Sequence, residues 1–223
     1  ADYSGDGNFD PSQSNVVAQT VNACTPNPIV TSTADAGAGS LREALANVCA
    51  GTTITFNLAG AGPHTITLTT GELQVAKNVT INNNSGERIT VSGNNASRVF
   101  NINSGKTASI IGLTITGGSP ANGGGVINDG SLTIVNSTLT GNAATSDGGA
   151  ISTTATGTSL TLINTTISGN SPAGSGGGVI VLGGTATSVN STITNNVADS
   201  DNNSAGDGGG IRAQAGTTTL KNT

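Results

Sequence analysis

The sequence predicts an all-β fold, a right-handed parallel β-helix with a short N-terminal capping helix. Three features lead to this prediction: a recurring glycine-rich segment, apolar residues that alternate with threonine and serine, and a near absence of aromatic side chains. The recurring segments begin, at spacings of 25, 28 and 32 residues, at Gly123, Gly148, Gly176 and Gly208. A repeat of this length built from short strands indicates a solenoid, because each unit buries its apolar side against its neighbours.

The composition predicts a narrow core. The chain has 223 residues, of which 34% are hydrophobic, 2% aromatic and 9% charged. These proportions favour stacked aliphatic residues and exclude a highly charged disordered chain. Collagen is excluded because the 34 glycines follow no three-residue period. The net charge of −5, with seven scattered basic residues, argues against nucleic-acid binding, and no apolar run is long enough for a membrane span.

Each repeat contains apolar residues with a period of two, which is the pattern of a strand with one buried face. In the repeat at 131–142, Leu132 and Ile134 alternate with serine and threonine, and Leu160 and Leu162 do the same in the next repeat. Weaker strand patterns extend back to residue 52. The chain from there onward corresponds to about six or seven coils, stacked about 4.8 Å apart.

Asparagine occupies equivalent places in successive repeats and predicts side-chain ladders along the solenoid. In stacked coils, equivalent amides lie one strand spacing apart and can hydrogen-bond to each other. The predicted ladder residues are Asn136, Asn142, Asn164, Asn170, Asn190 and Asn196.

One helical segment, residues 40–49, precedes the repeats. Ser40 and Glu43 have the spacing of a capping box, and the apolar residues from Leu41 to Val48 share one face. A solenoid needs a cover over its first coil, because open strand edges pair with other chains. We predict that this helix is the cover. The other end shows no comparable cap, which predicts either that the polypeptide continues or that this end pairs with another molecule.

These patterns divide the chain into a segment of residues 1–28 and a β-helix domain of residues 29–223. The two cysteines, Cys24 and Cys49, predict a disulfide that joins the first segment to the end of the helix, and the alternative is a pair of buried free thiols. A disulfide favours an extracellular protein. A chain that starts at Ala1 without methionine is typical of a mature or excised segment.

Residues 29–223 resemble two groups of bacterial surface proteins. The segment around Ser40, Leu41, Arg42, Glu43 and Ala44 is similar to the opening of β-helix proteins with a Ser-Leu-Arg-Glu-Ala motif. The GGGV, GGAI and GGGI segments, with FNIN, resemble repeats of the chlamydial polymorphic outer membrane proteins, although LTGN, ISGN and ITNN lack that family's phenylalanine. The resemblance implies a secreted or displayed right-handed parallel β-helix with adhesive or structural roles and no catalytic residues.

The N-terminal segment contains a calcium-loop pattern. Oxygen-bearing side chains occur at every second position, at Asp2, Ser4, Asp6, Asn8 and Asp10. Oxygen ligands at alternating positions suit Ca²⁺. An EF-hand loop would carry a glutamate where Gln13 stands, so the pattern is closer to the calcium loops of extracellular repeats. The alternative is an acidic terminus without a ligand.

Two acids introduce an enzymatic alternative, since many β-helix proteins cleave polysaccharides. Asp147 and Asp207 precede glycine pairs two coils apart, a separation of about 9–10 Å, near the upper end of the range for inverting glycosidases. The turn before glycine favours Asp, Asn and Ser alike, however, and Asn122 and Ser175 occupy it in the other two repeats. We therefore expect no enzymatic activity and keep polysaccharide binding or cleavage as the alternative.

The predicted function is that of a secreted or surface-displayed bacterial scaffold, adhesin or filament-forming subunit. Its predicted partners are further copies joined head to tail, other surface proteins and glycans, with Ca²⁺ as a structural ion. Ice binding is a further alternative, because Thr-x-Thr segments can form flat rows of hydroxyls. From the sequence we expect those threonine rows to be interrupted along the coils, which argues against ice binding.

Overall fold

The computed structural model describes residues 2–3, 7–8, 12–13, 23–203 and 206–223 of the chain. Parallel strands stack into a β-solenoid of about six turns with one short helix, which confirms the predicted fold. Each coil contributes one strand to each of three parallel sheets, and equivalent strands of successive coils are neighbours. Two smaller pairings involve β1 (Asp2–Tyr3) with β2 (Ser12–Gln13), antiparallel, and β15 (Ala143–Ala144) with β19 (Ser171–Pro172), parallel.

The first sheet has eight strands, one per coil and an additional strand at each end. In order along the solenoid axis they are β3 (Ile29–Val30), β4 (Thr52–Phe56), β7 (Val79–Asn82), β10 (Thr107–Ile111), β13 (Ser131–Val135), β17 (Ser159–Ile163), β21 (Thr185–Val189) and β24 (Thr217–Lys221). Every neighbouring pair is parallel.

The second and third sheets have six parallel strands each. The second sheet consists of β5 (His64–Thr67), β8 (Ile89–Ser92), β11 (Leu113–Thr116), β14 (Thr138–Thr140), β18 (Thr166–Ser168) and β22 (Thr192–Thr194). The third sheet consists of β6 (Leu73–Val75), β9 (Phe100–Ile102), β12 (Val126–Asn128), β16 (Ile151–Thr153), β20 (Val179–Val181) and β23 (Ile211–Ala213).

The inward rows of the three sheets meet in a narrow aliphatic core. In the first sheet, Ile110, Ile134 and Leu162 lie directly above one another, and each is at most 2% exposed. Each fully buried side chain of this size contributes about 1.5–3 kcal/mol to stability. The same row continues into Ser188 and Leu220, so the core becomes less apolar toward the C-terminal end.

The glycine-rich segments allow the backbones of successive coils to approach closely. A Cβ atom on Gly124 would lie 2.2 Å from the carbonyl oxygen of Gly149, and one on Gly149 would lie 2.3 Å from that of Gly177. These distances leave no room for a side chain, so packing requires glycine at both positions. Gly123, the first residue of its segment, has a φ of 60°, the left-handed conformation that turns the corner of the coil.

The helix α1 (Leu41–Asn47) covers the N-terminal end of the core. It contacts β3 and β6, and the side chains of Leu41 and Leu45 belong to the buried cluster. Its C-terminal carbonyls are satisfied from the solenoid, because Lys77 Nζ donates hydrogen bonds to Ala46 and Val48 oxygens, each at 2.9 Å. A cation at this end also complements the helix dipole.

The N-terminus of α1 differs slightly from the predicted capping box. Ser40 Oγ accepts the Glu43 N–H at 3.1 Å, as the pattern predicts. The Glu43 carboxylate, however, accepts the N–H of Gly39 at 2.7 Å and not that of Ser40. The Ser40 N–H already donates to the carbonyl of Gly37, so the glutamate satisfies the next free donor along the chain.

Candidate functional site

Three asparagines of the predicted ladder form a continuous hydrogen-bonded row between the second and third sheets. Asn142 Nδ2 donates to Asn170 Oδ1 at 3.0 Å, and Asn170 Nδ2 donates to Asn196 Oδ1 at 2.9 Å. The same oxygens accept the backbone N–H of the asparagine one coil earlier. Asn142 and Asn170 are at most 1% exposed, so these amides replace water for backbone groups at a corner where the sheets end. We call this row the inner ladder.

The remaining predicted asparagines lie on the surface, where the first sheet ends. Residues 136, 164, 190 and 222 are asparagines with φ between 49° and 51°, a left-handed conformation that asparagine adopts more readily than most residues. Asn164 Nδ2 donates to Asn136 Oδ1 at 2.7 Å, and Asn222 Nδ2 donates to Asn190 Oδ1 at 3.1 Å. We call this row the outer ladder. Because it is exposed, we infer that its main contribution is to the shape of the turn.

A further ladder, which the sequence did not reveal, precedes the glycine-rich segments. Asn122 Oδ1 accepts the backbone N–H of Asp147, and Asp147 Oδ1 accepts that of Ser175 at 2.7 Å. Ser175 Oγ then accepts the N–H of Asp207. The two acids considered as a catalytic pair therefore occupy a structural column in which asparagine and serine take the same role. The side chain of Asp207 is 79% exposed and lies 3.7 Å from Arg212 Nη2.

The outward side of the second sheet carries two unbroken rows of hydroxyls. Strand register aligns one row of threonines, Thr65, Thr90, Thr114, Thr138, Thr166 and Thr192. Two residues further along each strand lies a second row, Thr67, Ser92, Thr116, Thr140, Ser168 and Thr194. Ile115 and Leu139, between the rows, are fully buried, so alternation directs the hydroxyl-bearing residues outward. We call these twelve residues the hydroxyl face.

The expectation of interrupted threonine rows was wrong for the row that starts at Thr65, which is threonine in all six coils, whereas serine interrupts the row that starts at Thr67 in two coils. The segments HTIT, ITVS and TIS look dissimilar, and connections of different length conceal their alignment in the sequence. Backbone pairing fixes the register and places Thr90 beside both Thr65 and Thr114. A usable signal was present, because each of the six coils contains threonine, one aliphatic residue, and then threonine or serine.

An ionic network fastens α1 to the first coil. Arg42 Nη2 donates to Asp35 Oδ1 at 2.6 Å, and the same guanidinium donates to the carbonyl oxygens of Gly71 and Glu72. Arg98, one coil further along, pairs with the Glu72 carboxylate. The arginine of the Ser-Leu-Arg-Glu-Ala motif therefore joins the helix to the solenoid, a role that the sequence did not reveal.

Asp35 is held in its ionised form. Partial burial raises the pKa of Asp35, but hydrogen bonds from the Thr70 hydroxyl, from Arg42 and from the backbone N–H groups of Thr69 and Thr70 outweigh burial and hold the pKa well below its usual range. The Thr70 hydroxyl donates at 2.6 Å. The carboxylate therefore anchors the segment before α1 to the loop that follows the second sheet's first strand.

The predicted disulfide joins Cys24 to Cys49. Backbone contacts support the same junction, because Thr25 N–H donates to Asn47 oxygen at 2.8 Å and Cys49 N–H donates to Thr25 oxygen at 3.0 Å. The disulfide thus ties the segment that precedes the solenoid to the end of α1.

The predicted calcium ligands fall mainly outside the described residues. Asn8 is exposed at the turn between β1 and β2, whereas Ser4, Asp6, Asp10 and the side chain of Asp2 lie outside the described part. Within the residues that the structure describes, no three His, Cys, Asp or Glu side chains approach closely enough to hold a metal ion. Ca²⁺ therefore stays a prediction for this segment.

Exposed apolar side chains mark both ends of the solenoid. Ile29 on β3 is 54% exposed at the N-terminal end, and Leu220 on β24 is 56% exposed at the other. Leu220 continues the inward row of Ile134 and Leu162, and it is exposed because no further coil lies over it among the described residues. Val197, which follows the last strand of the second sheet, is 54% exposed.

No helix in the described parts of the chain is both long and apolar enough to cross a lipid bilayer. Comparison of the chain with protein-family models, with curated proteins and with solved structures finds no match in any of the three.

Proposed function

We propose that this protein is a non-enzymatic structural rod, secreted or displayed at a bacterial cell surface, that assembles end to end with further copies. The observation that carries the proposal is the unbroken register of all three sheets through six coils. A solenoid in which every coil hydrogen-bonds to the next behaves as one stiff body, about 30 Å long at the usual strand spacing.

The ladders supply the stiffness at the corners, where the sheets stop. Asn142 and Asn170 bond both to each other and to backbone groups of neighbouring coils. Corners of a solenoid are otherwise the places where backbone groups have no strand partner, so unpaired corners would weaken it. In this chain, hydrogen bonds between successive coils pair the backbone groups of the corners as well as those of the sheets. Such a structure suits a load-bearing or spacing role.

The ends support assembly through the first sheet. Among the described residues, β24 is the outermost strand of the first sheet at one end and β3 at the other, where α1 packs against β3 but leaves Ile29 54% exposed. Open strand edges with exposed apolar residues favour pairing with another chain. The ends are different surfaces, so contact between them is heterologous and does not close, and such contacts produce filaments.

Secretion is supported by the disulfide. Structural disulfides persist in oxidising compartments and are rare in the cytosol. The Cys24–Cys49 bond therefore favours an extracellular location. In this proposal Ca²⁺ binds the N-terminal segment that contains β1 and β2. The test therefore compares the protein with calcium and with a calcium chelator.

The test is electron microscopy of the purified chain at increasing concentration, with and without a calcium chelator. We expect end-to-end rods for the wild type. A Leu220→Glu substitution places a charge at the end and should yield single particles. The matched Ile163→Glu substitution alters an exposed aliphatic residue of the same size on the side of the rod and should leave assembly intact.

Single particles of one length for the wild type under every condition would overturn the proposal. Equal loss of assembly in both variants would show that contacts run through the side of the solenoid and would also overturn it. Circular dichroism melting of each variant establishes that both substitutions leave the fold in place.

A further inference from the structure

We propose that the hydroxyl face binds ice, that is, water already arranged in a lattice. The proposal concerns the side of the solenoid and does not depend on the end-to-end assembly proposed above. It rests on the strand register, which arranges twelve hydroxyl side chains in two dimensions.

The spacing of the hydroxyl face is fixed by the backbone. Adjacent strands of a parallel sheet lie about 4.8 Å apart, and residues two positions apart on a strand lie about 6.6 Å apart. The face therefore repeats every 4.8 Å or so over a length of about 24 Å. Register pairs such as Thr114 with Thr138 and Thr138 with Thr166 repeat this spacing without an insertion.

The side chains on this lattice are rigid. Threonine is branched at Cβ, which restricts its χ1 angle, and threonines stacked one above another restrict each other further. Ten of the twelve residues are threonine, and the two serines, Ser92 and Ser168, lie in the same row. The hydroxyls consequently keep nearly constant positions, as a template for ordered water requires.

The hydroxyls are also available to a ligand. Ser92 Oγ accepts a hydrogen bond from Asn94 N–H. Within the described part of the chain, the other hydroxyls of the face make no hydrogen bond to protein atoms, so each can donate to and accept from water. The methyl groups of the threonines form no hydrogen bonds with water, so they do not compete with the hydroxyls for it.

Ice fits this face better than liquid water or a dissolved ligand. Immobilising a water molecule on a protein costs up to about 2 kcal/mol of entropy, but water in ice is already immobile. Contacts made by successive coils then add, as in multivalent binding. The twelve positions carry no charge for an ion or phosphate and no aromatic ring for a sugar to stack on.

The first sheet offers a less uniform surface. Its outward side also has hydroxyl rows, but in the next row Ile111, Val135, Ile163 and Val189 lie between Asn82 at one end and Lys221 at the other. In the third sheet the side away from the core aligns Asn101, Ile127 and Ser152, of which Ser152 is fully buried. We therefore assign ice binding to the second sheet.

The test measures inhibition of ice recrystallisation and uptake of the protein into slowly grown ice. Thr138→Lys places a charged side chain in the middle of the hydroxyl face, and Thr166→Lys repeats the change one coil further along. Thr133→Lys on the first sheet and Thr156→Lys in an exposed loop are the matched controls. We expect the protein concentration needed for inhibition to rise about tenfold or more in the first two variants and to be unchanged in the controls.

A wild-type protein that neither inhibits recrystallisation nor enters ice would overturn the proposal. So would a Thr138→Lys or Thr166→Lys variant that is folded and fully active, or loss of activity in Thr133→Lys. Sedimentation with crystalline cellulose and with chitin tests the competing class of ligand. Binding to either polymer that Thr138→Lys abolishes, without an effect of the wild type on ice, would assign the face to a polysaccharide.

Discussion

The first coils and the later coils of this solenoid are held together by different chemistry. Around the first coil, Arg42 and Asp35 bind each other and several groups that do not recur in later coils, and a disulfide reinforces the junction. In the later coils, Asn142 and Asn170 repeat one interaction in successive turns. The first arrangement belongs to a part of the chain with little internal repetition, and the second to the part where the sequence repeats.

This difference teaches how repetition replaces individual contacts. Where equivalent residues stack, one asparagine side chain hydrogen-bonds to groups in its own coil and in a neighbouring coil, and the same interaction can recur in every turn. At the N-terminal end of the solenoid, no preceding coil provides an equivalent residue for such stacking. The helix, the ion pair and the disulfide stabilise this end instead. The two regions should therefore respond differently to mutation, to reduction and to pH.

The largest expected effect is at the inner ladder. Asn170→Ala removes the partner of the Asn142 side chain and backbone N–H and takes a donor from the carbonyls of Leu139 and Ser168. Each unpaired buried group costs about 1–3 kcal/mol, so we expect a loss of about 4 kcal/mol in the free energy of unfolding. Urea denaturation followed by circular dichroism measures it.

The outer ladder provides the matched control. Asn164→Ala should cost about 1 kcal/mol, because alanine is strained at the observed φ of 50°, and Asn164→Gly should cost less because glycine is not. A loss at position 164 as large as that at 170 would contradict the view that the buried row carries the later coils.

The second effect concerns the disulfide at the N-terminal end. Replacing Cys24 and Cys49 together by serine opens a loop whose ends are 25 residues apart in the sequence. We expect a loss of about 3 kcal/mol, from the greater entropy of the unfolded chain. Hydrogen exchange should become faster around α1 while the inner ladder stays protected, and equal acceleration in both regions would show that the two are not independent.

The third effect depends on pH. Asp35→Asn removes a carboxylate that ion-pairs with Arg42 and should cost about 2 kcal/mol at neutral pH. The folded-state pKa of Asp35 lies below the value of about 3.9 for an unfolded chain. Its contribution is therefore complete above about pH 4 and is lost as the pH falls from there toward the folded-state pKa.

Urea denaturation of Asp35→Asn and wild type at several pH values checks this prediction. The difference between the two proteins should shrink below about pH 4, whereas the difference caused by Asn170→Ala should stay nearly constant, because an amide does not titrate. A stability difference for Asp35→Asn that does not change with pH would indicate that the carboxylate charge is unimportant at this position.

Periodicity made the solenoid, its aliphatic core and the asparagine rows predictable, but it did not indicate which row is buried and which is exposed. Alternation of apolar and hydroxyl residues and the glycine-rich corners are local patterns. They recur because each coil must bury one face of its strands and pack closely against the next coil. The capping helix was predictable as well, because Ser40 and the apolar face of α1 are adjacent in the sequence. The sequence attributed Asp147 and Asp207 to the turn before glycine, but it did not predict their hydrogen bonds along the solenoid axis.

Contacts between coils of unequal length required the folded chain. Two of the partners of Arg42 lie 29 and 30 residues further along, and Lys77 reaches back to the end of α1 from a strand connection. The hydroxyl face belongs to the same class, since the sequence contains each Thr-x-Thr or Thr-x-Ser element but not the register that aligns them. Local periodicity specifies what each coil is made of, whereas backbone pairing between coils decides which side chains meet, because connections of variable length separate partners that the sheets bring into register.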